Sequence, residues 1–597
     1  MSERQAWPGQ AYLDELRPKR GASVRLALFA TYSVDVSAVA ATLLALIGRN
    51  NDRGSGSAVD FAQAIDSLRG KVRILIQRGR IAKPVALPRI AGILDQFIVE
   101  QPHDEEHRSW HPKIALIAYD GPGAGSIWRL WIGSRNLTRS RAFDAGVLIE
   151  GAPRRGRGRT RLAGIGKVAR RLAADAGRTD ADAVASEVED LWWEAPPGYV
   201  LRGLIDGLAD NVGLGDAPPP GDIRGVTVVS PFLAPGFVTK AGRWGPDGER
   251  TLVSSMPALV ALANGSPAAL RGFSRLLAYA APEAGSEDEA ETDAGEDDED
   301  EGAPLSLHAK IYSFAMADSE VFRVGSANAT DRAWWGRNSE IMVELAGGDD
   351  FRRGLDFLVG SATPVTLPDL TATAPTDTSA MDALERSRRE LTMAWSPVLL
   401  REGEAFTLDA GVELSLSNPD HVLEVGHANA DRITWPGRTR LLVLGDLPLS
   451  YQSGFIQIRL HGAGGALSWM QRVEVRPDLE PGRDLAALAC HMGLKAFHDW
   501  MRAMLNGDLA PAGGGDWDET FEVSSARREM RSFDRLTLED ILSAWARDRA
   551  SFGRVDRHFA PYVDAMLRHG QALSDADKAD LRELSEIWAM ARSRLTP

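Results

Sequence analysis

The chain has 597 residues, of which 44% are hydrophobic and 25% charged, with a single cysteine and a formal charge of -15 at pH 7. That length exceeds what one hydrophobic core supports, so several domains are expected, and the ordinary apolar and charged fractions exclude a wholly disordered, collagen-like or membrane-embedded chain. Cys490 alone cannot form an intramolecular disulfide or a cysteine-built zinc or iron–sulfur centre, which fits a reducing, cytoplasmic setting.

In chain order, the first twenty residues lack the apolar core of a secretory signal, and the longest apolar stretch, 36–47, is too short to span a bilayer. Neither export nor membrane insertion is expected. Residues 24–32 read as a buried strand, with Ser33 and Asp35 as cap candidates for an apolar helix that runs to Ile47 and stops at Gly48. Further strands are expected at 72–77, 114–119, 127–132 and 145–149, with the glycine-rich run 121–125 as a hairpin. A proline-rich break at 216–221 precedes a second series at 226–230, 251–255, 276–281, 310–314, 321–324 and 341–345.

Residues 283–301 hold twelve acids and no base, so the rest of the chain carries only -3, and the overall charge does not argue against a polyanionic partner. The run falls between two expected strands and reads as a disordered insertion over 283–303. A Thr/Pro/Ala-rich stretch, 361–380, marks the end of the repeated part. Beyond it, alternating segments indicate a small all-β module over 395–477, and 482–597 reads as a helical C-terminal region.

Chemistry is concentrated in two matching constellations. His111-Pro112-Lys113 is followed by Gly133-Ser134-Arg135-Asn136, and His308-Ala309-Lys310 by Gly325-Ser326-Ala327-Asn328. Residues two apart on a strand face the same side, so each histidine and lysine point together and a returning strand brings the asparagine beside them. One such triplet is weak evidence, but only nine residues of this chain are lysine, and two of the nine stand in the matching triplets. The same order of strand, hairpin and strand in both halves indicates an internal duplication.

The pattern HxK followed by GSxN, present twice, resembles the phospholipase D superfamily, over roughly residues 20–360. Among its branches the chain looks most like the tyrosyl-DNA phosphodiesterases and PLD-type nucleases. It departs from many members in that Ala118 and Ala315 replace the aspartate five residues after the lysine, an absence it shares with the tyrosyl-DNA phosphodiesterases and one that weakens an assignment to the phospholipases. The resemblance implies an α/β fold of two tandem α-β-α repeats, 1–215 and 222–365, that share one active-site cleft. It implies that His111, Lys113, Asn136, His308, Lys310 and Asn328 form one catalytic centre, supported by Glu340, Asp144, Ser134 and Ser326. By analogy His111 is the nucleophile and His308 the general acid, although local sequence does not distinguish them. The intermediate would be a phosphohistidine, formed without a metal or other cofactor.

Two imidazoles suit a phosphodiester, since one attacks phosphorus while the other, protonated, serves the leaving oxygen; lysine and asparagine donors stabilise the added charge. The chain has no HExxH or convincing acidic metal-ligand cluster, and no GxxxxGK[ST] loop, so a helicase or NTPase partner would have to come in trans. Arg154, Arg155, Arg157, Arg159 and Arg161 form a basic tract suited to a phosphate backbone, the alternative being a solvated loop. Trp110, Trp334 and Trp335 are candidates to stack on bases, with burial as the competing outcome. His491 and His498 near Cys490 read as structural, lacking a fourth ligand.

The expected function is therefore a nuclease or nucleic-acid-end-processing phosphodiesterase acting on DNA or RNA, with antiviral defence as the setting that the resemblance to stand-alone bacterial members implies. A phospholipase or phosphatidyl transferase, and a non-enzymatic binding subunit of a larger complex, are the alternatives. No membrane partner is expected, and the sequence leaves oligomeric state open.

Overall fold

A computed structural model describes residues 12–279, 306–506 and 536–595, apart from short gaps at 52–53, 85–86, 122–125, 141, 210–211, 216–217, 246–247, 318, 337, 348, 376–378 and 570–572. The acidic insertion expected at 283–303 and nearly all of the glycine-rich hairpin lie outside the described residues. The protein is mixed α/β. Its strands are β1 (Ser23–Ala30), β2 (Val34–Asp35), β3 (Val72–Gln77), β4 (Ile81–Ala82), β5 (Ile98–Gln101), β6 (Ile114–Asp120), β7 (Ile127–Gly133), β8 (Gly146–Ala152), β9 (Arg159–Thr160), β10 (Trp192–Glu194), β11 (Tyr199–Asp206), β12 (Gly225–Val229), β13 (Glu249–Ser255), β14 (Arg275–Tyr279), β15 (Ile311–Ala315), β16 (Glu320–Gly325), β17 (Ile341–Gly347) and β18 (Thr363–Val365). The later strands are β19 (Val398–Glu402), β20 (Ala405–Leu414), β21 (Val422–His427), β22 (Ile433–Thr434), β23 (Thr439–Asp446), β24 (Phe455–Gly462), β25 (Gly465–Arg472) and β26 (Glu474–Arg476).

Two eight-stranded sheets dominate, ordered β5-β3-β1-β6-β7-β8-β10-β9 and, from the matching edge, β18-β14-β13-β12-β15-β16-β17-β11. In both, a parallel trio (β1, β3, β5 or β12, β13, β14) continues into an antiparallel trio (β6, β7, β8 or β15, β16, β17). The parallel trios need crossovers, and these are supplied in part by helices such as Val36–Leu46, where Asp35 rather than Ser33 accepts from Ala38 N at 2.6 Å. Alternation along β1 sends Leu26, Leu28 and Ala30 into a core shared with Val229, Val253, Ile311 and Val324 of the second sheet. Ala27 and Phe29 face the opposite side, into a core with the helix Ala58–Leu68 and the C-terminal helices. Each fully buried aliphatic or aromatic side chain in these layers contributes about 1.5–3 kcal/mol.

Two features go beyond the pattern visible in the sequence. The stretch 361–380 is largely structured: β18 pairs with β14, and the helix Leu367–Ala372 starts at a capping box of Thr366 and Asp369 and buries Leu370. The few apolar residues there sit at the positions that pack. The β-rich segment is also not self-contained. It divides into a four-stranded sheet, β23-β20-β19-β26, and a six-stranded sheet, β2-β4-β25-β24-β21-β22, whose first two strands come from the N-terminal part of the chain. The C-terminal region is helical, over Arg483–Asn506, Leu538–Arg547, Arg549–His569 and Asp575–Leu595. Among the described residues, no helix is long and apolar enough to cross a membrane.

Candidate active site

Both HxK triplets stand immediately before a strand, β6 or β15, and both GSxN tetrapeptides close the returning strand, β7 or β16. The glycines are dictated by close approach: a Cβ on Gly133 would meet Ala145 O at 2.7 Å, and one on Gly325 would meet Ile341 O at 2.3 Å. With no side chain in the way, each neighbouring strand start is drawn against the serine that follows. Ser134 N donates to Ala145 O (2.8 Å) and Ala145 N to Ser134 Oγ (3.0 Å). Ser326 N donates to Ile341 O (3.0 Å) and Ile341 N to Ser326 Oγ (2.9 Å).

The residues just before those strand starts carry the carboxylates, and each carboxylate serves the histidine of the other half. His111 Nδ1 lies 2.9 Å from Glu340 Oε1, and His308 Nδ1 lies 2.6 Å from Asp144 Oδ1. Backbone bridges fix the exchange: His111 N donates to Ser339 O (3.1 Å) and Ser339 N to Ser109 O (2.8 Å), while His308 N donates to Phe143 O (3.0 Å) and Phe143 N to Ser306 O (2.6 Å). The serines complete the pattern, Ser326 Oγ donating to Glu340 Oε2 at 2.5 Å and Ser134 Oγ to Asp144 Oδ1 at 2.7 Å. Asn338 Nδ2 also donates to Glu340 Oε1 (3.2 Å), and Arg135 Nη1 to Asp144 Oδ2 (3.3 Å).

This wiring determines the tautomer. A carboxylate at Nδ1 takes the Nδ1–H and leaves the lone pair on Nε2, directed away from the carboxylate. At His111, Nε2 lies 2.9 Å from Lys113 Nζ. Burial alone would push the Asp144 carboxyl up, but the facing His308, Arg135 and the Ser134 hydroxyl bring it down to about 2. His111, Lys113, Asn136, His308, Lys310 and Asn328 are all buried, with at most 8% of their surface exposed. Such burial strengthens every polar contact a bound anion would make.

Other sequence candidates fall elsewhere. Trp334 is fully buried; its Nε1 donates to Asn328 O (3.1 Å), so it supports the motif backbone and is not placed to contact nucleic acid. Trp110 is likewise buried, whereas Trp335 is 41% exposed with Lys240 Nζ 4.9 Å from its ring centroid. The arginine tract follows the far end of β8: Gly146 pairs with Gly133 beside the site, and Ala152 pairs with Trp192. Six residues of strand, about 3.3 Å each, set the tract roughly 20 Å from the carboxylates. There Arg155 and Arg161 stack over Trp192, with guanidinium carbons 5.2 and 4.7 Å from its ring centroid, and Arg159 pairs with Glu194 at 2.9 Å. Cys490 Sγ meets His569 O and His498 Nδ1 accepts from Leu536 N, which are structural roles.

Residues that sequence reading missed include Thr31, Tyr32 and Asn338. Thr31 Oγ1 lies 3.3 Å from Asn136 Oδ1 and accepts from Leu137 N at the same distance. The Tyr32 ring centroid is 5.2 Å from that of His111. For Thr31 and Tyr32 the signal was position, since they follow the carboxyl end of β1, a central strand with a parallel neighbour, where open α/β sheets collect ligand-binding groups.

No protein-family model matches this chain, and no curated protein matches it. Among solved structures the chain is similar to the polyphosphate kinase from Porphyromonas gingivalis, at 13% sequence identity and a TM-score of 0.31, over 64% of this chain. It spans half of that structure's length (50%). A likeness of this degree carries no argument about chemistry.

Proposed function

We propose that this protein is a phosphodiesterase of the phospholipase D type acting on nucleic acid, its two half-sites belonging to tandem repeats of one fold. The observation that carries the reading is the reciprocal pairing of His111 with Glu340 and of His308 with Asp144. Two imidazoles, each held at Nδ1 by a carboxylate so that Nε2 can act, one neutral as nucleophile and one protonated as acid, suit an in-line displacement at phosphorus.

His111 Nε2 attacks phosphorus, forming a P–N bond as the P–O bond to the leaving group breaks. His308, protonated, transfers its Nε2 proton to the departing oxygen. The neutral His308 then accepts a proton from water as that water attacks, so the P–N bond breaks, His111 is restored and a phosphate monoester leaves. Lys113, Lys310, Asn136 and Asn328 donate to the non-bridging oxygens throughout. Glu340 and Asp144 hold the ring orientations and stabilise whichever imidazole carries positive charge.

A nucleic-acid substrate is supported by the exposed Trp335 with Lys240 over its ring, three residues before Asn338, which binds Glu340. An exposed aromatic beside a cation stacks on bases without sequence preference. Incubation with labelled single- and double-stranded DNA, RNA and phosphatidylcholine vesicles in EDTA tests the reading. Cleavage of a nucleic acid that is abolished by His111→Ala is the expected result. Cleavage of lipid alone would replace the substrate class, and inactivity on all four would favour a binding subunit.

A further inference from the structure

β2 and β4 each have only two residues, yet they join the N-terminal part of the chain to the six-stranded sheet: Val34 pairs with Ile81, and Ile81 and Ala82 pair with Met470 and Trp469 of β25. Tyr32 stands two residues before β2, and Arg80 stands immediately before β4. Tyr32 packs against the His111 imidazole, centroid to centroid at 5.2 Å, and Lys113 Nζ lies 5.8 Å from the Tyr32 ring. The Arg80 guanidinium carbon covers the same ring at 4.9 Å. On its other side Arg80 is gripped by carboxylates, Glu105 through two contacts of 3.1 Å and Glu385 at 2.7 Å. Glu385 lies on the helix Ser379–Ala394, and Arg388 of that helix binds both carboxylates and closes the quartet. All four side chains are buried.

The turn that carries Arg80 is itself seated under the same helix. Gly79 has φ +71°, and a Cβ there would meet Thr392 Cγ2 at 2.8 Å. The β2 segment extends the connection to the other arm of the half-site, since Val34 bridges to Leu137, the residue after Asn136, and Asp35 N donates to Leu137 O at 3.1 Å. One strut therefore runs from helix Ser379–Ala394 through Glu385, Arg80 and Tyr32 to His111.

We infer that Tyr32 is a positioning residue for His111, and that the segment from Ser379 onward is part of the catalytic apparatus because it fixes Tyr32 through Arg80. The physical reasoning is one of restraint. Glu340 holds one nitrogen of the ring, which leaves rotation about that contact; a tilted aromatic face at 5.2 Å limits it, and the Arg80 cation stacked on the ring limits the aromatic in turn. Carboxylates on two sides of Arg80 fix the guanidinium plane as one carboxylate would not. The inference rests on the proposed phosphoryl chemistry for its kinetic readout, and a second readout is independent of it.

The test compares the full-length wild type with Tyr32→Phe, Tyr32→Leu, Glu385→Gln and the double variant Tyr32→Leu/Glu385→Gln. Each is assayed on bis(4-nitrophenyl) phosphate and by mass-spectrometric rate of diethyl pyrocarbonate modification at His111. Tyr32→Leu is expected to lower kcat by about tenfold with KM little changed, to speed modification of His111, and to be rescued by Tyr32→Phe, which keeps the ring. Glu385→Gln is expected to act in the same direction, with the double variant little worse than Tyr32→Leu alone, since both break one strut. Additive losses, failure of Tyr32→Phe to rescue, or unchanged His111 modification would overturn the inference. A wild type that leaves the ester intact would count against the proposed function, while the modification rates would still decide the role of Tyr32.

Discussion

Glu340 stands 229 residues from His111 in sequence, yet its carboxylate accepts a hydrogen bond from His111 Nδ1 in a buried contact. Asp144 makes the same contact with His308 across 164 residues. Neither half-site is complete alone, because each borrows from the other the group that orients its histidine. Glu340→Gln keeps the size of the side chain and removes the charge, so it is expected to slow the histidine-dependent step by about a hundredfold or more while leaving the fold intact. Rapid-quench measurement of phosphoenzyme formation reads this directly for Glu340→Gln. For Asp144→Asn the slowed steps are leaving-group protonation and intermediate hydrolysis.

Stability is expected to fall on the acid side in two stages. His427 is fully buried, donates from Nε2 to Ser453 O at 2.8 Å, and is pushed by burial down to about 4. Between its ordinary value near 6.5 and about 4 the unfolded chain binds a proton at this residue that the folded chain does not, so the His427 contribution to stability drops with falling pH at roughly 1.4 kcal/mol per unit. Asp144, held at about 2, adds its own loss as pH falls from about 4 towards 2, where the folded carboxylate is finally protonated. His103, also held down to about 4, adds to the first slope and Glu100, raised by burial to about 8, opposes it, so the His427 part is read as the difference between wild type and His427→Gln in urea denaturation from pH 7.5 to 4.5.

Gly325 is required by proximity, its φ lying outside the left-handed range. A methyl placed there would stand 2.3 Å from Ile341 O and 2.7 Å from Met342 Cα, both backbone atoms of β17. Gly325→Ala is expected to cost about 2 kcal/mol or more, because β16 and β17 must separate. It should also lower kcat by shifting Ser326 and Asn328. Thermal denaturation and steady-state kinetics on the same sample check both effects.

Trp335 and the arginine tract make opposite predictions. Trp335 lies within about 11 Å of Asn338 along the chain, so Trp335→Ala is expected to raise KM for a short single-stranded oligonucleotide several-fold with kcat little changed. Replacing Arg154, Arg155 and Arg157 by alanine should leave such a substrate unaffected, since these residues sit at the far end of β8. Loss of binding to the short oligonucleotide in the arginine variant would reassign the tract.

The strand pattern was legible in the sequence wherever strands are buried on both faces. Continuous apolar runs such as 72–77 and 114–119 correspond to β3 and β6 with almost unchanged bounds. The six motif residues stood out in the sequence because rare lysines recur in two matching triplets, and all six are buried. What escaped is what depends on long-range contact. β2 and β4 carry no periodicity in two residues; they are strands because they pair with each other and β4 pairs with β25. Tyr32 and Arg80 likewise gain meaning from Glu385, which is 305 residues from Arg80. Trp334, a candidate base contact with burial as the competing outcome, is the buried case; a tryptophan near a motif looks the same in sequence whether it supports the backbone or faces solvent.

The most direct measurement uses His308→Ala in EDTA with a 4-nitrophenyl phosphodiester of thymidine labelled at phosphorus. Its leaving group needs no proton, so attack proceeds while the water step is blocked. Label is expected to accumulate on one residue, to be lost in acid and to map to His111. Label on His308 in the reciprocal His111→Ala variant, with none on His111, would reverse the two roles. The absence of any phosphoenzyme in either variant, with cleavage persisting, would contradict the covalent mechanism itself.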